Sequence, residues 1–281
     1  MQLSDTNSDI QKLSPAAIRD FQETIYRYYL KHKRDFPWRS TDNQYFILVS
    51  EIMLQQTQVE RVIEKYKKFI SIFPDFSTLA RANLKEVFTV WHGLGYNRRA
   101  LSLLNIAQTV MTRYGGNLPV TVEELEALPG IGKATAGAIL AFAFNIPVVL
   151  IETNIRRVFI HHFFHNSGSI KDRDILLFIE QTLDRAHPRK WYYALMDYGS
   201  MLKRQGENPN RRSAGYRQQS PFEGSDRKIR GRLLELLIGL TMPEKAIVQK
   251  MGADPERVKK ILVQLKKEGL IREEEGKYFI P

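Results

Sequence analysis

The 281-residue chain is 43% hydrophobic and carries a formal net charge of +11, with a pI near 9.7, a balance that suits a globular protein with a polyanionic partner and puts nucleic acid first. Its lack of cysteine excludes disulfides, thiolate zinc sites and a cysteine-held iron-sulfur cluster. No long apolar run suggests a membrane span, and the polar start MQLSDTNSDIQKLS lacks the apolar core of a secretory signal, so a monomer working in the cytoplasm at the nucleoid is expected.

From Ser14, the stretch SPAAIRDFQETIYRYYLKHKRDF sets apolar residues at helical spacing behind a Ser-Pro start. Turn residues Ser40 to Asn43 follow, and then one long helical pattern runs to near Pro74. Glu51 lies inside it. Its neighbours three and four positions away are Ile47, Leu48, Leu54 and Gln55, so the carboxylate projects from a largely apolar stripe. Such a position raises a carboxyl pKa and favours the acid form, although a boundary glutamate with its head in solvent leaves the same pattern. Short helices are expected at FSTLARA, opened by Ser77, and at NLKEVFTVW, opened by Asn83.

His92-Gly93-Leu94-Gly95-Tyr96-Asn97-Arg98-Arg99 is a glycine turn that puts an aromatic and two arginines at the start of the helix RALSLLNIAQTVMTRYGG. The combination suits wedging between bases while holding phosphates; a capped amphipathic helix shows the same glycines. Thr121 then opens a helical hairpin, LEALPGIGKATAGAILAF, Leu125 to Phe142. At Leu128-Pro129-Gly130-Ile131-Gly132 the paired glycines allow a tight turn and a close approach to a ligand. Lys133 opens the next helix, so free amides, the positive dipole end and an ammonium converge on a point suited to a phosphate. The segment fits a DNA-backbone clamp and equally an ordinary helical corner.

An apolar extended run, FNIPVVLI, next delivers Glu152 to the start of the helix TNIRRVFIHHFF. There the dipole and free amides favour an ionised carboxylate, the opposite bias to that at Glu51. An acid and a base set apart by their surroundings are what glycosidic cleavage needs, while a plain helix cap is the alternative for Glu152. His161 and His165 stand four apart without a carboxylate at a telling spacing, so they read as surface or packing residues and no metal site is expected. Helical patterns at RDILLFIEQTLDRA and KWYYALMDYGSMLK complete the body, followed by an irregular basic loop, KRQGENPNRRSAGYRQQSPFEG. From Asp226 three helical runs and two short strands around Glu275-Gly276 suggest a winged-helix module, whose third helix suits a DNA groove; its Lys/Glu-rich composition also suits a solvated or protein-binding surface.

Five of these segments, met in order, resemble the helix-hairpin-helix (HhH-GPD) superfamily of base-excision DNA glycosylases, most closely its MutY-like adenine glycosylase branch. They are Trp38-Arg39, SEIMLQQT from Ser50 to Thr57, Gly93-Leu94-Gly95-Tyr96, Leu128-Pro129-Gly130-Ile131-Gly132, and ETNIRRV from Glu152 to Val158. The resemblance implies an all-α fold of two helical domains flanking a DNA-facing cleft: a split domain, 1–36 with 146–222, and a six-helix domain, 37–145, with its helix-hairpin-helix at 121–142. The winged-helix-like module, 226–281, is appended.

By the same resemblance Glu51 protonates a departing adenine flipped from a mispair with 8-oxoguanine or guanine, Glu152 faces the cationic sugar, and Asn154 supports that carboxylate. Arg39, Gln55, Gln56, Thr57, Leu94, Tyr96, Arg98, Gly130, Gly132, Lys133, Ala134 and Thr135 fall at DNA-binding positions, with Gln56 and Tyr96 entering the base stack. No resident cofactor is implied beyond a monovalent cation at the hairpin 128–132, and the partner is double-stranded DNA with a mispaired or damaged base.

Three departures carry consequences. Glu152 replaces the family aspartate and reaches about 1.5 Å further. Ala134 stands where strand-cleaving relatives carry a lysine, so hydrolysis without a Schiff base is expected. Lys203, Asn210, Ser213 and Gln219 fall where many relatives hold cluster cysteines, leaving a basic loop to touch phosphates. A thymine or uracil mismatch glycosylase, or a non-catalytic binder of distorted DNA, are the rival readings.

Overall fold

The computed structural model describes residues 12–165, 168–206, 208–218 and 222–281, which fall into two compact units. The architecture is all-α with one small sheet. No helix among the described residues is long and apolar enough to cross a membrane.

The first unit joins the chain up to Asp35 with Leu140–Arg217. Helix α1 (Pro15–His32) starts as its Ser-Pro signal predicts, Ser14 accepting from the Ala17 amide at 3.2 Å. Its Phe21 lies edge-on to Phe159 and Trp191, rings carried by α9 (Thr153–Phe163) and α11 (Pro188–Arg204). Between these two in sequence, α10 (Asp172–Thr182) buries Ile175, Phe178 and Ile179. Burial holds the His162 imidazole down to about 4, with His161 and His165 adding to the effect, and its ring packs on Phe21 and Tyr198; this histidine is a packing residue.

After α11 the chain is less irregular than its composition suggests. Pro209–Arg212 forms a turn of 3-10 helix. Asn210 donates to the Thr153 carbonyl at 2.9 Å, and Arg212 donates to the carbonyls of Phe164, His165 and Ile160. Asn210 and Ser213 are buried. Asn210 and Arg212 therefore secure the two ends of α9, while Lys203, Arg204, Arg211 and Arg217 of the same basic stretch are exposed; Gln219 lies outside the described residues.

The second unit joins Phe36–Ile139 with Gln218–Pro281. The single long helix expected from Gln44 to Pro74 is two helices, α2 (Gln44–Leu54) and α3 (Val59–Ile72). The break has a physical cause: Gln56 is left-handed at φ 53°, and the Arg99 guanidinium takes the carbonyls of Ile52, Met53 and Gln55 at 3.0, 2.7 and 2.6 Å, which an uninterrupted helix would use itself. Helix α4 (Phe76–Arg81) is capped by Asp75, which accepts from the Thr78 amide, and not by Ser77 as its sequence suggests. Asn83 and Glu86 form a capping box at α5 (Leu84–Trp91), as expected of Asn83.

Helix α6 (Arg98–Arg113) ends at Gly115 and Gly116, both left-handed, with the Gly116 amide returning to the Val110 carbonyl. The hairpin's first arm, α7 (Val122–Glu126), is short, and its second, α8 (Lys133–Phe144), continues into the first unit.

The C-terminal module is α12 (Asp226–Gly239), β1 (Met242–Pro243), α13 (Glu244–Met251), α14 (Pro255–Lys267), β2 (Arg272–Glu274) and β3 (Lys277–Phe279). The expected terminal hairpin β2–β3 is present, and β1 adds a third strand in the order β1-β3-β2, all antiparallel. That strand escapes sequence reading because it is two residues long and half proline.

Candidate functional site

In the second unit the candidate acid is carried by α2. The helix buries Ile47, Leu48, Ile52 and Met53, and Glu51 is half-buried among them. One turn later Gln55 donates to the Gly130 carbonyl at 3.2 Å and to Thr135 Oγ1 at 3.1 Å, so the end of α2 is fastened to the hairpin. Gly130 is left-handed at φ 81°, and a Cβ there would lie 2.8 Å from Ser102 Oγ; no other residue fits that turn without displacement. Gly132, Lys133 and Ala134 are exposed at the start of α8, as a phosphate clamp requires. The Leu128 and Gly130 carbonyls each accept one hydrogen bond within the chain, from Ile131 and Gln55, which leaves each oxygen a second lone pair.

Arg99 has a role that sequence reasoning misses. It is 8% exposed, and besides the three α2 carbonyls it donates to Thr57 Oγ1 at 2.9 Å and to the Gly95 carbonyl at 3.1 Å. The guanidinium also lies 5.4 Å from the ring centres of Trp91 and Tyr96. Burial pushes its pKa down to about 10, which leaves it charged at neutral pH. One side chain therefore joins the loop that holds Gln56 to the turn that holds Tyr96. Both of these exposed residues are left-handed, at φ 53° and 48°, a conformation that costs a non-glycine residue of order 1 kcal/mol or more and that clusters at working loops.

The arginines of this turn were expected to hold phosphates, and Arg99 cannot, because it is buried. Arg98 is exposed but bonded to Glu268 at 2.6 Å. Leu94 is also placed differently: its side chain is 2% exposed, so it packs the turn from beneath instead of contacting DNA. Arg39 ends a 3-10 turn, Pro37–Arg39, half-buried over the Phe36 ring.

In the first unit Glu152 is the N-cap of α9, accepting from the amides of Asn154 and Ile155 at 2.7 and 2.8 Å. The cap is as expected. The bias of the helix end toward charge meets an opposing effect: burial pushes this carboxyl above its ordinary range, and the two amides, Arg157 and Arg156 pull it back only in part. The reason is that desolvation opposes charge more strongly than one helix end favours it.

Asn154 Nδ2 reaches Glu152 Oε2 at 3.3 Å while its Oδ1 accepts from Arg157 at 2.8 Å. Arg157 also donates to the Gly199 carbonyl at 2.7 Å. A Cβ on Gly199 would stand 2.3 Å from the Asn154 carbonyl oxygen, so this glycine of α11 lets the start of α9 approach. Neither Arg157 nor Gly199 bears a signal in the sequence beyond its motif.

A helical body, two glycine turns feeding helix starts and a half-buried glutamate on an apolar helix define a helix-hairpin-helix protein. Residues 49–177 match the family described as HhH-GPD superfamily base excision DNA repair protein. An adenine DNA glycosylase of Mycolicibacterium smegmatis is 35% identical over 238 residues, 78% of this chain and 80% of that protein. The chain belongs to the HhH-GPD superfamily.

A second adenine DNA glycosylase, from Buchnera aphidicola subsp. Baizongia pistaciae, is 39% identical over 185 residues, 65% of this chain and 52% of its own length; the chain thus spans about half of that relative. Among solved structures, a thermostable thymine-DNA glycosylase superposes with a TM-score of 0.59 at 27% identity, covering 66% of this chain and 86% of that one.

Proposed function

We propose that the protein is a monofunctional DNA glycosylase that releases adenine from a mispair with 8-oxoguanine or guanine in double-stranded DNA. The observation that carries the reading is Glu51, half-buried beside the apolar side chains of α2 and followed directly by the loop that Arg99 and Gln55 hold in place. Adenine is a poor leaving group as an anion. A proton given to its ring by Glu51 lets the base depart neutral, taking with it the electron pair of the glycosidic bond. The sugar is left with oxocarbenium character, which the ionised carboxylate of Glu152 stabilises until water adds to the anomeric carbon and releases its proton.

Asn154 is a positioning residue in this scheme, since it bonds Glu152 and is itself bonded by Arg157. Gln56 and Tyr96, both exposed and left-handed, enter the duplex. Gln55, Thr57, Gly130, Gly132, Lys133, Ala134 and Thr135 form the backbone-contacting surface around them, and Arg39 lines the base pocket. The enzyme works as a monomer, without a resident cofactor and without lyase chemistry.

The test is base release from a panel of duplexes, each with one mispaired base. Adenine release is expected from the wild type, and Glu51→Gln should lower its rate by roughly 10²–10⁴-fold while duplex binding persists. Unchanged release by that variant removes Glu51 from the chemistry. The likeness to a thymine-DNA glycosylase supports a second reading, release of thymine or uracil opposite guanine, which the same panel distinguishes.

A further inference from the structure

A cavity of about 1460 Å³ opens within the second unit, between the C-terminal module and the helices that precede it. One wall carries Gln56, Arg61 and Tyr96; the other is α12, with Arg227, Arg230 and Arg232. Of α14 and the residue after it, only Gln264, Lys267 and Glu268 reach the space. Eight of the lining residues are Lys or Arg and two are Glu.

Both of those carboxylates are already engaged. Glu268 is bonded by Arg98 and by Arg230, and Glu235 faces His92 Nε2 at 3.2 Å. Of the cations, Arg99 is buried, Lys228 is bonded to Glu223 and Arg227 reaches the Tyr96 hydroxyl at 3.5 Å; the lining keeps a net positive charge, and a concave basic surface of this kind concentrates a polyanion. Two features favour nucleic acid over an acidic peptide. Gln56 and Tyr96, the two left-handed loop residues, stand on the same rim. Tyr96 and Phe222, 37% and 57% exposed, offer π-faces to an unstacked base.

The position of α12 is set by the contacts that dock the module. Arg98, Glu268 and Arg230 join α6, the end of α14 and α12, and the Lys85 amide donates to the Pro281 carbonyl at 3.2 Å. By contrast, outward lysines of α14 are matched within the module, Lys259 with Glu256 at 3.0 Å and Lys266 with Glu273 at 2.8 Å.

We propose that the cavity between α12 and the Gly93–Tyr96 turn holds a phosphodiester segment of the bound duplex, and that the module meets DNA through α12, its first helix, and not through α14. The inference rests on the glycosylase reading and assigns the C-terminal module a share of the same interface. Phosphate contacts carry no sequence information, so α12 strengthens mispaired and fully paired duplexes alike.

The full chain should be titrated, over a range of salt concentrations, with a duplex carrying one adenine-guanine mispair and with its fully paired counterpart. Replacing Arg227 and Arg232 together by Ala is expected to weaken both complexes by roughly tenfold or more and to reduce the slope of log K against log salt by about two. Lys259→Ala with Lys266→Ala on α14 should leave both within about twofold. If the paired α12 change disturbs folding, the exposed Arg232→Glu alone carries the test, with the same loss expected.

Affinity and salt slope unchanged in the α12 variants, in a protein whose wild type releases adenine, overturn this inference alone. A larger loss from the α14 pair than from the α12 pair overturns it too. A wild type that neither binds nor acts on any mispaired duplex overturns the glycosylase reading, and this inference with it.

Discussion

At the scale of single residues, burial and hydrogen bonding act against each other on a proposed catalytic carboxyl. Glu152 shows the conflict most plainly. Its amide partners and its arginines favour charge, yet burial pushes it above the ordinary carboxylate range, so in the folded protein it gives up its proton at higher pH than an exposed glutamate does. The sign follows for both stability and rate. A raised folded pKa favours the fold at low pH and loses that contribution as pH climbs through the folded value, whereas a step that needs the ionised form gains over the same interval. We expect the acid limb of the pH profile for adenine release, measured in single turnovers, to lie above the ordinary carboxylate range. A limb at or below that range would remove Glu152 as the group whose ionisation sets it.

Among elements, the one most consequential for the proposed interface is the joint between α2, the turn before α6 and the hairpin. Arg99 supplies donors to carbonyls of both loops, and no neighbouring side chain could replace them all. Arg99→Met retains much of the buried volume and removes every donor, leaving several carbonyls unpaired at roughly 1–3 kcal/mol each. Urea denaturation should show a loss of at least about 2 kcal/mol, and Arg99→Lys should recover part of it. A change below about 0.5 kcal/mol would mean that water satisfies these carbonyls and that the joint is not built on this residue.

For the whole molecule, the C-terminal module is attached by charge as well as by packing. The bond from Arg98, joined by Arg230, holds the Glu268 carboxyl down to about 2 despite its burial. A depressed pKa contributes stability that is complete above the ordinary carboxylate value and is lost as pH falls toward about 2. The difference in urea stability between wild type and Glu268→Gln is therefore expected to shrink across that window; a constant difference would show that Glu268 acts by shape alone.

Reaction class is also a property of the whole chain under the proposed function. With Ala134 where strand-cleaving relatives carry lysine, borohydride should trap no covalent protein-DNA adduct above background during adenine release. Efficient trapping would replace the hydrolytic scheme with an imine one.

Much of this architecture is legible in the linear chain. Ser14-Pro15, the Asn83–Glu86 capping box and the Gly115-Gly116 stop mark helix ends by local chemistry alone, and five short segments in order point to the superfamily that the chain belongs to. Local signals suffice there because caps and turns are decided within a few residues. Contacts between distant positions are decided otherwise.

The break between α2 and α3 comes from Arg99, more than forty residues further along, and the approach of α9 to α11 depends on the missing side chain of Gly199. The loop after α11 is ordered by Arg212 reaching back to the end of α9, and the charge of Arg98 is turned to Glu268 in the module. Each is a pairing between residues far apart in sequence whose worth depends on burial and direction, and only the folded chain sets those.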